Sequence, residues 1–347
     1  MGEPVRVAQV GVLHSHAAAY RESLLHLPEA RLVACYDPDS AAARARLEPA
    51  LADVPLYDRL PELLARERPE AVLVTLPSDA EPAAVVACAD AGVHCFVEKP
   101  VARSAAELAP VEEAIRRNGV AFHLGYTRRF TAPGSALRGL VEQGLLGEIR
   151  SVEGRWITTS VRSRDPAHYA FSRARSGGGI LHWLGCHWLD LMRYVTGLEV
   201  VGVSGVLATL SGEAVDVEDT AALSLRFANG AVGSLHAAYT TGGDDLYFGL
   251  RGALGWARWE RSLPEITAYS EHPLWNAAPR RTLTFRLPAT PGYGGAAGRE
   301  SVRRFFAAFR EGKAPMFTTE DARRVLEVLD AAAESSRTGR YVPLGPG

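Results

Sequence analysis

The chain lacks an excess of charge of either sign. Its 347 residues carry 38 Lys and Arg against 40 Asp and Glu, a formal net charge of -2, so no global field draws nucleic acid or an anionic membrane surface, and the expected partner is a small molecule. It also lacks paired cysteines. The four present, Cys35, Cys88, Cys95 and Cys186, stand far apart without CxxC spacing; three fall in apolar runs, where a buried free thiol is the ordinary reading, and a reducing cytoplasm is expected. No run is apolar for the length a membrane span requires, and no signal-peptide core precedes the first strand, so a soluble intracellular protein is expected. His14 and His16 have no evident third ligand, and no metal is expected.

What is present is an alternation. Val5 to Val12 is a short, nearly continuous apolar run that ends at Gly11, the pattern of a buried parallel strand. Helices are expected over residues 15–27, 58–67, 81–91 and 105–117, and further strands over 31–36, 71–76, 94–97 and 120–124. Asp37-Pro38 reads as a helix start, with Asp as cap and Pro in the first turn. Strands separated by helices imply right-handed crossovers and a doubly wound parallel sheet, whose ligands sit outside the carboxyl ends of the strands. Gly11 to His16, Asp37, Thr75 to Ser78 and Glu98 to Pro100 should therefore line one edge.

After Tyr126 the pattern changes. A helix over 131–144 is followed by alternating stretches at 148–161, 220–227 and 231–240, the last two flanking Asn229-Gly230, a strong hairpin signal. Helices are expected over 299–310 and 320–335, and the glycine-rich residues 290–298 read as an irregular surface loop. The fold class is α/β: a doubly wound parallel sheet over residues 1–124, then an α+β domain over 125–347 with a large, mostly antiparallel open sheet. Gly177-Gly178-Gly179 opens a stretch with helical apolar spacing, on which His187, Asp190, Leu191 and Tyr194 fall on one stripe that should face a cleft.

Taken in order, the glycine loop at Gly11, Glu98-Lys99-Pro100, Gly125-Tyr126-Thr127-Arg128-Arg129-Phe130, Gly144-Leu145-Leu146-Gly147-Glu148-Ile149, Gly177 to Asp190, and Ala333 to Arg340 resemble the Gfo/Idh/MocA family of sugar and polyol oxidoreductases. The resemblance implies a Rossmann domain binding NAD or NADP, and a second domain whose open sheet builds homodimers or homotetramers. It implies hydride transfer between nicotinamide and a hydroxyl or carbonyl carbon of a sugar, inositol or related polyol. Two other readings stay open: a non-reductive lyase or glycosidase that retains NAD, and a nucleotide- or sugar-binding regulatory protein without turnover.

The resemblance places Lys99 and His187 beside the reacting carbon, an ammonium and an imidazole expected to converge across an inter-domain crevice. Lys99 suits a polarising donor and His187 a base. The cofactor-binding candidates are Gly11, Leu13, His14, Ser15, His16, Asp37, Thr75, Leu76, Pro77, Glu98 and Lys99. The G-x-G-x-x-G pattern would put glycines where Leu13 and His16 stand, which implies a wider loop that binds phosphate through backbone N–H groups at the helix start. Asp37 is placed to accept the adenosine ribose hydroxyls, and its charge favours NAD over NADP. The substrate-binding candidates are Tyr126, Arg128, Trp156, Arg164, His168, Tyr169, Trp183 and His187. Trp183 occupies a position where the family usually carries a carboxylate, so Lys99 and His187 are expected to act without that third member. No role is transferred to Glu81, where the family often has histidine.

Overall fold

A computed structural model describes residues 3–159, 165, 167–212, 215–239, 242–260, 263–286 and 289–345. The chain forms two compact units, Met1–Thr127 with Pro288–Arg323, and Arg128–Leu287 with Arg324–Gly347. The second half of the sequence therefore does not form one piece: the segment 288–323 belongs with the N-terminal unit.

In the first unit the strands β1 (Val5–Val10), β2 (Ala30–Tyr36), β3 (Leu56–Tyr57), β4 (Ala71–Val74), β5 (His94–Val97) and β6 (Phe122–Leu124) alternate with helices α1 (Ala17–Leu25), α2 (Ser40–Arg44), α3 (Leu60–Glu67), α4 (Glu81–Asp90) and α5 (Ala105–Asn118). All strand pairs are parallel, in the order β3-β2-β1-β4-β5-β6. That is the doubly wound dinucleotide-binding order, with its switch point between β1 and β4. The strands are apolar on both faces because both are covered; β4 is buried throughout. One core joins Val5, Val7, Leu73 and Phe96 of the sheet to Tyr20 and Leu24 of α1 and to Val302, Phe305 and Phe306 of the helix Gly295–Arg310. Two expectations change here. The glycine-rich stretch is helical from Gly295 onward, and its earlier part is seated on α1, where Tyr293 N–H donates to Ala19 O at 2.8 Å.

In the second unit, α6 (Ala132–Glu142), capped by the Thr131 hydroxyl, precedes β7 (Ile149–Ile157), and α7 (Arg173–Ser176) leads to a π-helical turn, Leu181–Gly185, and α8 (Cys186–Thr196). Then come β8 (Val200–Ala208), β9 (Thr220–Phe227), β10 (Val232–Ala238), β11 (Asp245–Gly252), β12 (Gly255–Glu260), β13 (Glu265–Ser270), β14 (Arg280–Thr284) and β15 (Val342–Pro343). They form one sheet, β14-β13-β12-β11-β7-β10-β9-β8-β15, antiparallel throughout except for β7 beside β10. The hairpin at Asn229-Gly230 forms as expected, with Gly230 at φ +87, Phe227 N–H donating to Ala231 O and Phe227 O accepting Gly230 N–H. In β9, Ala221, Leu223, Leu225 and Phe227 are buried while the residues between them are exposed or half-buried, so one face of the sheet meets the core. Trp188 fastens α8 to that sheet, its indole N–H shared between Arg155 O and Tyr247 O at 2.9 Å each. Among the described residues no helix is long and apolar enough to cross a membrane.

Candidate functional site

The candidate groups fall in both units, and each set is built within its own. In the first unit the chain leaves β1 at Gly11 with φ +99, and a Cβ there would stand 2.3 Å from Thr75 O. Only glycine passes so close to the end of β4. The Thr75 hydroxyl donates to Gly11 O at 2.6 Å and latches the two strand ends together.

Asp37, at the end of β2, is buried and turned toward this loop. Its Oδ2 accepts Val12 N–H at 2.8 Å and Leu13 N–H at 3.1 Å, and its Oδ1 accepts Asp39 N–H at 3.1 Å. One expectation is corrected: Asp37 does not cap α2, because Asp39 does so through Ala42 N–H. The loop N–H groups of Val12 and Leu13 hold the Asp37 carboxylate, which sets the loop's shape. A carboxylate has about four acceptor positions, so Oδ1 retains capacity for a ribose hydroxyl. The edge still fits a dinucleotide: Leu13 and Ser15 are exposed, and Leu76 and Pro77 follow β4 beside the Gly11 turn.

Glu98 and Lys99 follow β5 at the same edge, and both are buried. Lys99 is no solvent-waving chain: its Nζ lies 3.6 Å from Glu98 Oε1. The same oxygen lies 3.3 Å from His16 Nδ1. Burial pushes the Glu98 carboxyl up, but the His16 hydrogen bond and the charges of His16, Lys99 and His14 outweigh it and bring the carboxyl down to about 2. Glu81, at the start of α4, goes the other way. Burial and the negative Glu98 push its carboxyl well above the usual range, against the pull of Lys99 and of the Leu76 N–H. Tyr20, also buried, is raised by burial and by Glu98. Tyr20 and Tyr293 were not singled out from the sequence, and Glu81 was given no role there. Tyr20 was within reach, since it stands four residues after His16 on one helix face.

In the second unit three candidates come together. The His187 ring stacks on Trp156 with centroids 5.5 Å apart and planes 21° from parallel, and the Arg128 guanidinium stands 5.3 Å from the Trp156 ring centre. His187 is buried in the first turn of α8. The π turn before it is held by Glu218, whose backbone oxygen accepts Ile180 N–H at 3.0 Å and whose Oε1 accepts Leu181 N–H at 3.3 Å. Gly179 is what allows this, because a Cβ there would be 1.8 Å from Glu218 O.

Two members of the stripe read along this helix, Asp190 and Tyr194, are engaged within their own unit. Asp190 is fully buried and accepts Arg129 Nε at 3.0 Å, and Tyr194 lies beneath the guanidinium groups of Arg129 and Arg138 at 5.1 and 4.4 Å. These residues brace α8. Tyr126 is likewise a packing residue, fully buried with its ring against Phe317. His168 caps the turn Tyr169–Phe171 by accepting Ala170 N–H, and Tyr169 lies against Arg175. Trp183 is buried within the π turn with Phe171 edge-on to it. Arg164 lies outside the described residues.

Residues 5–126 match the family model described as an oxidoreductase family with an NAD-binding Rossmann fold, and residues 135–258 match that of the GFO/IDH/MocA C-terminal domain. The chain belongs to the Gfo/Idh/MocA family. It is 27% identical to the myo-inositol 2-dehydrogenase of Thermotoga maritima over 348 residues, covering 98% of this chain and 97% of that protein. It is 31% identical to a putative UDP-kanosamine synthase oxidoreductase subunit of Amycolatopsis mediterranei over 254 residues, 68% of this chain and 69% of that one. A solved levoglucosan dehydrogenase, in complex with NADH and levoglucosan, has the same fold: TM-score 0.86 at 23% identity, over 99% of this chain and 100% of that one. As a Gfo/Idh/MocA oxidoreductase the chain takes NAD as its cofactor, which the parallel-sheet edge around Gly11 fits.

Proposed function

We propose that the protein is an NAD-dependent dehydrogenase or reductase acting on the hydroxyl or carbonyl carbon of a sugar, inositol or related polyol. The observation that carries this is Lys99, a buried ammonium beside an ionised Glu98, at the carboxyl edge of a parallel sheet whose first turn is the Gly11 loop. NAD, when bound, supplies the hydride acceptor for oxidation. Lys99 donates a hydrogen bond to the reacting oxygen and stabilises its alkoxide character as hydride leaves. His187 accepts the hydroxyl proton at a ring nitrogen, its ring plane set by stacking on Trp156. Trp183 cannot share a proton, so these two groups act without a third. Arg128, half-buried over the Trp156 ring, offers a cation to the hydroxyls of such a substrate.

Titration with NAD and NADP, followed by a panel of inositols, aldoses and anhydrosugars read at the nicotinamide band, tests the reading. NAD should bind more tightly than NADP, because Asp37 places a negative charge at the end of β2. Binding of neither nucleotide would reject the reading. Lys99→Met and His187→Ala should each lower turnover by about 10²- to 10⁴-fold; unchanged turnover in both rejects their roles. The four cysteines are buried free thiols, which supports a reducing cytoplasmic location. The second-unit sheet carries Arg155, Ser224, Ser234, His236 and Tyr247 around one cavity, and its open face is our candidate for self-association into a homodimer or homotetramer.

A further inference from the structure

Position 16 is where the nucleotide-loop pattern has its third glycine, and this chain carries an imidazole there. The substitution has a structural use. His16 Nδ1 lies 3.3 Å from Glu98 Oε1, and that same oxygen lies 3.6 Å from Lys99 Nζ. The imidazole is covered by Tyr293, whose ring is tilted 34° to it with centroids 4.4 Å apart and 34° to Tyr20 at 4.3 Å. His14 meets the His16 ring edge-on at 5.1 Å, and its Nδ1 accepts the His16 backbone N–H at 3.1 Å. The other carboxylate oxygen of Glu98 is hemmed in from the far side: a Cβ on Gly125 would stand 2.9 Å from Glu98 Oε2 and 2.7 Å from the Tyr20 hydroxyl.

We propose that His16 is a positioning residue for Lys99, acting through Glu98, so that the nucleotide loop and the reacting lysine are tied by one shared carboxylate oxygen. The loop has exchanged the close helix packing of a glycine for a side chain that keeps Glu98 ionised and fixed beneath the ammonium. The groups facing Glu98 are His14 and His16 from the loop, Tyr20 from α1, Glu81 from α4, and Lys99 on its own strand end; Tyr293 closes the cluster over His16 and Tyr20. Of these, Glu81 and Tyr20 oppose ionisation of Glu98 if they ionise themselves, and burial opposes it throughout. The His16 hydrogen bond is the largest influence on the other side. Its loss lets burial raise the carboxyl, and a Glu98 that takes up a proton no longer fixes the ammonium.

The proposal rests on the assignment of Lys99 to the reacting oxygen, and the test separates the two. His16→Phe keeps a ring to pack against Tyr293 but removes the nitrogen; His16→Asn restores a donor. In the apo protein, carbon-13 NMR of the Glu98 carboxyl should show its titration moving up by roughly one to three pH units in His16→Phe, and back toward the native value in His16→Asn. In the holoenzyme at saturating NAD the acid limb of the kcat profile should move up with it. A Glu98 titration unchanged in a folded His16→Phe variant overturns the proposal. Shifted titrations in a protein whose native form oxidises no polyol would support the tie while rejecting the dehydrogenase reading.

Discussion

Glu98 and Glu81 are both buried carboxyls that feel the charge of Lys99, yet they are displaced in opposite directions from the ordinary carboxyl range. The difference is the partner each one has. Glu98 has an imidazole and the lysine on one oxygen, whereas Glu81 meets burial and a neighbour of its own sign. The two therefore bend the pH dependence of stability in opposite directions. Glu98 falls from the ordinary 4.5 to about 2, so its contribution is present above the ordinary value and is lost as pH falls toward 2. Glu81 is raised above its ordinary 4.5, so its contribution is complete below that value and is lost as pH rises through the raised one. Glu81→Gln should flatten the fall in stability above about pH 4.5, and Glu98→Gln the fall below it; urea midpoints measured across pH check both. The sequence placed Glu98 and Lys99 at a sheet edge, because a short apolar run stops there. It did not reveal Glu81, since a glutamate in the first turn of a helix is ordinary and only burial makes it unusual.

At the scale of elements, the parallel strands were legible because two covered faces demand unbroken apolar runs, and Val5–Val10 and Ala71–Val74 supply them. The stretch before His187 was harder. Its apolar spacing is compatible with an α-helix, but the chain forms a π turn over Leu181–Gly185, so helical steps counted through it mislead about which side chains share a face. What fixes the turn lies far along the chain, in Glu218. Gly179→Ala would drive a Cβ into the Glu218 carbonyl, whose nearest approach is 1.8 Å. It should destabilise the second unit by about 3 kcal/mol or more and lower turnover through displaced His187; denaturant unfolding and kcat measure the two effects. Unchanged stability would show that the turn moves aside without cost.

At the scale of the molecule, the first unit is finished by residues that return to it late in the chain. Phe305 packs against Phe96 with ring centroids 5.8 Å apart, and it shares a core with Val5, Leu73 and Leu24. Phe305→Ala should cost about 3–5 kcal/mol, read as a lower midpoint for the unfolding of the unit that holds the Gly11 loop. A loss under about 1 kcal/mol would mean that the returning helix contributes little to that core.

Local chemistry settled what the sequence by itself determined: the alternating parallel half, the hairpin at Asn229-Gly230, the glycine at the end of β1, and the family. Each depends on neighbouring residues, on the period of burial or on a backbone angle that one residue type allows. Tertiary structure alone decided that Asp37 holds Val12 and Leu13, that Asp190 braces Arg129, and that residues 288–323 complete the first unit. Those outcomes turn on which polar group satisfies which buried donor across long separations, and no periodicity in a sequence encodes that pairing.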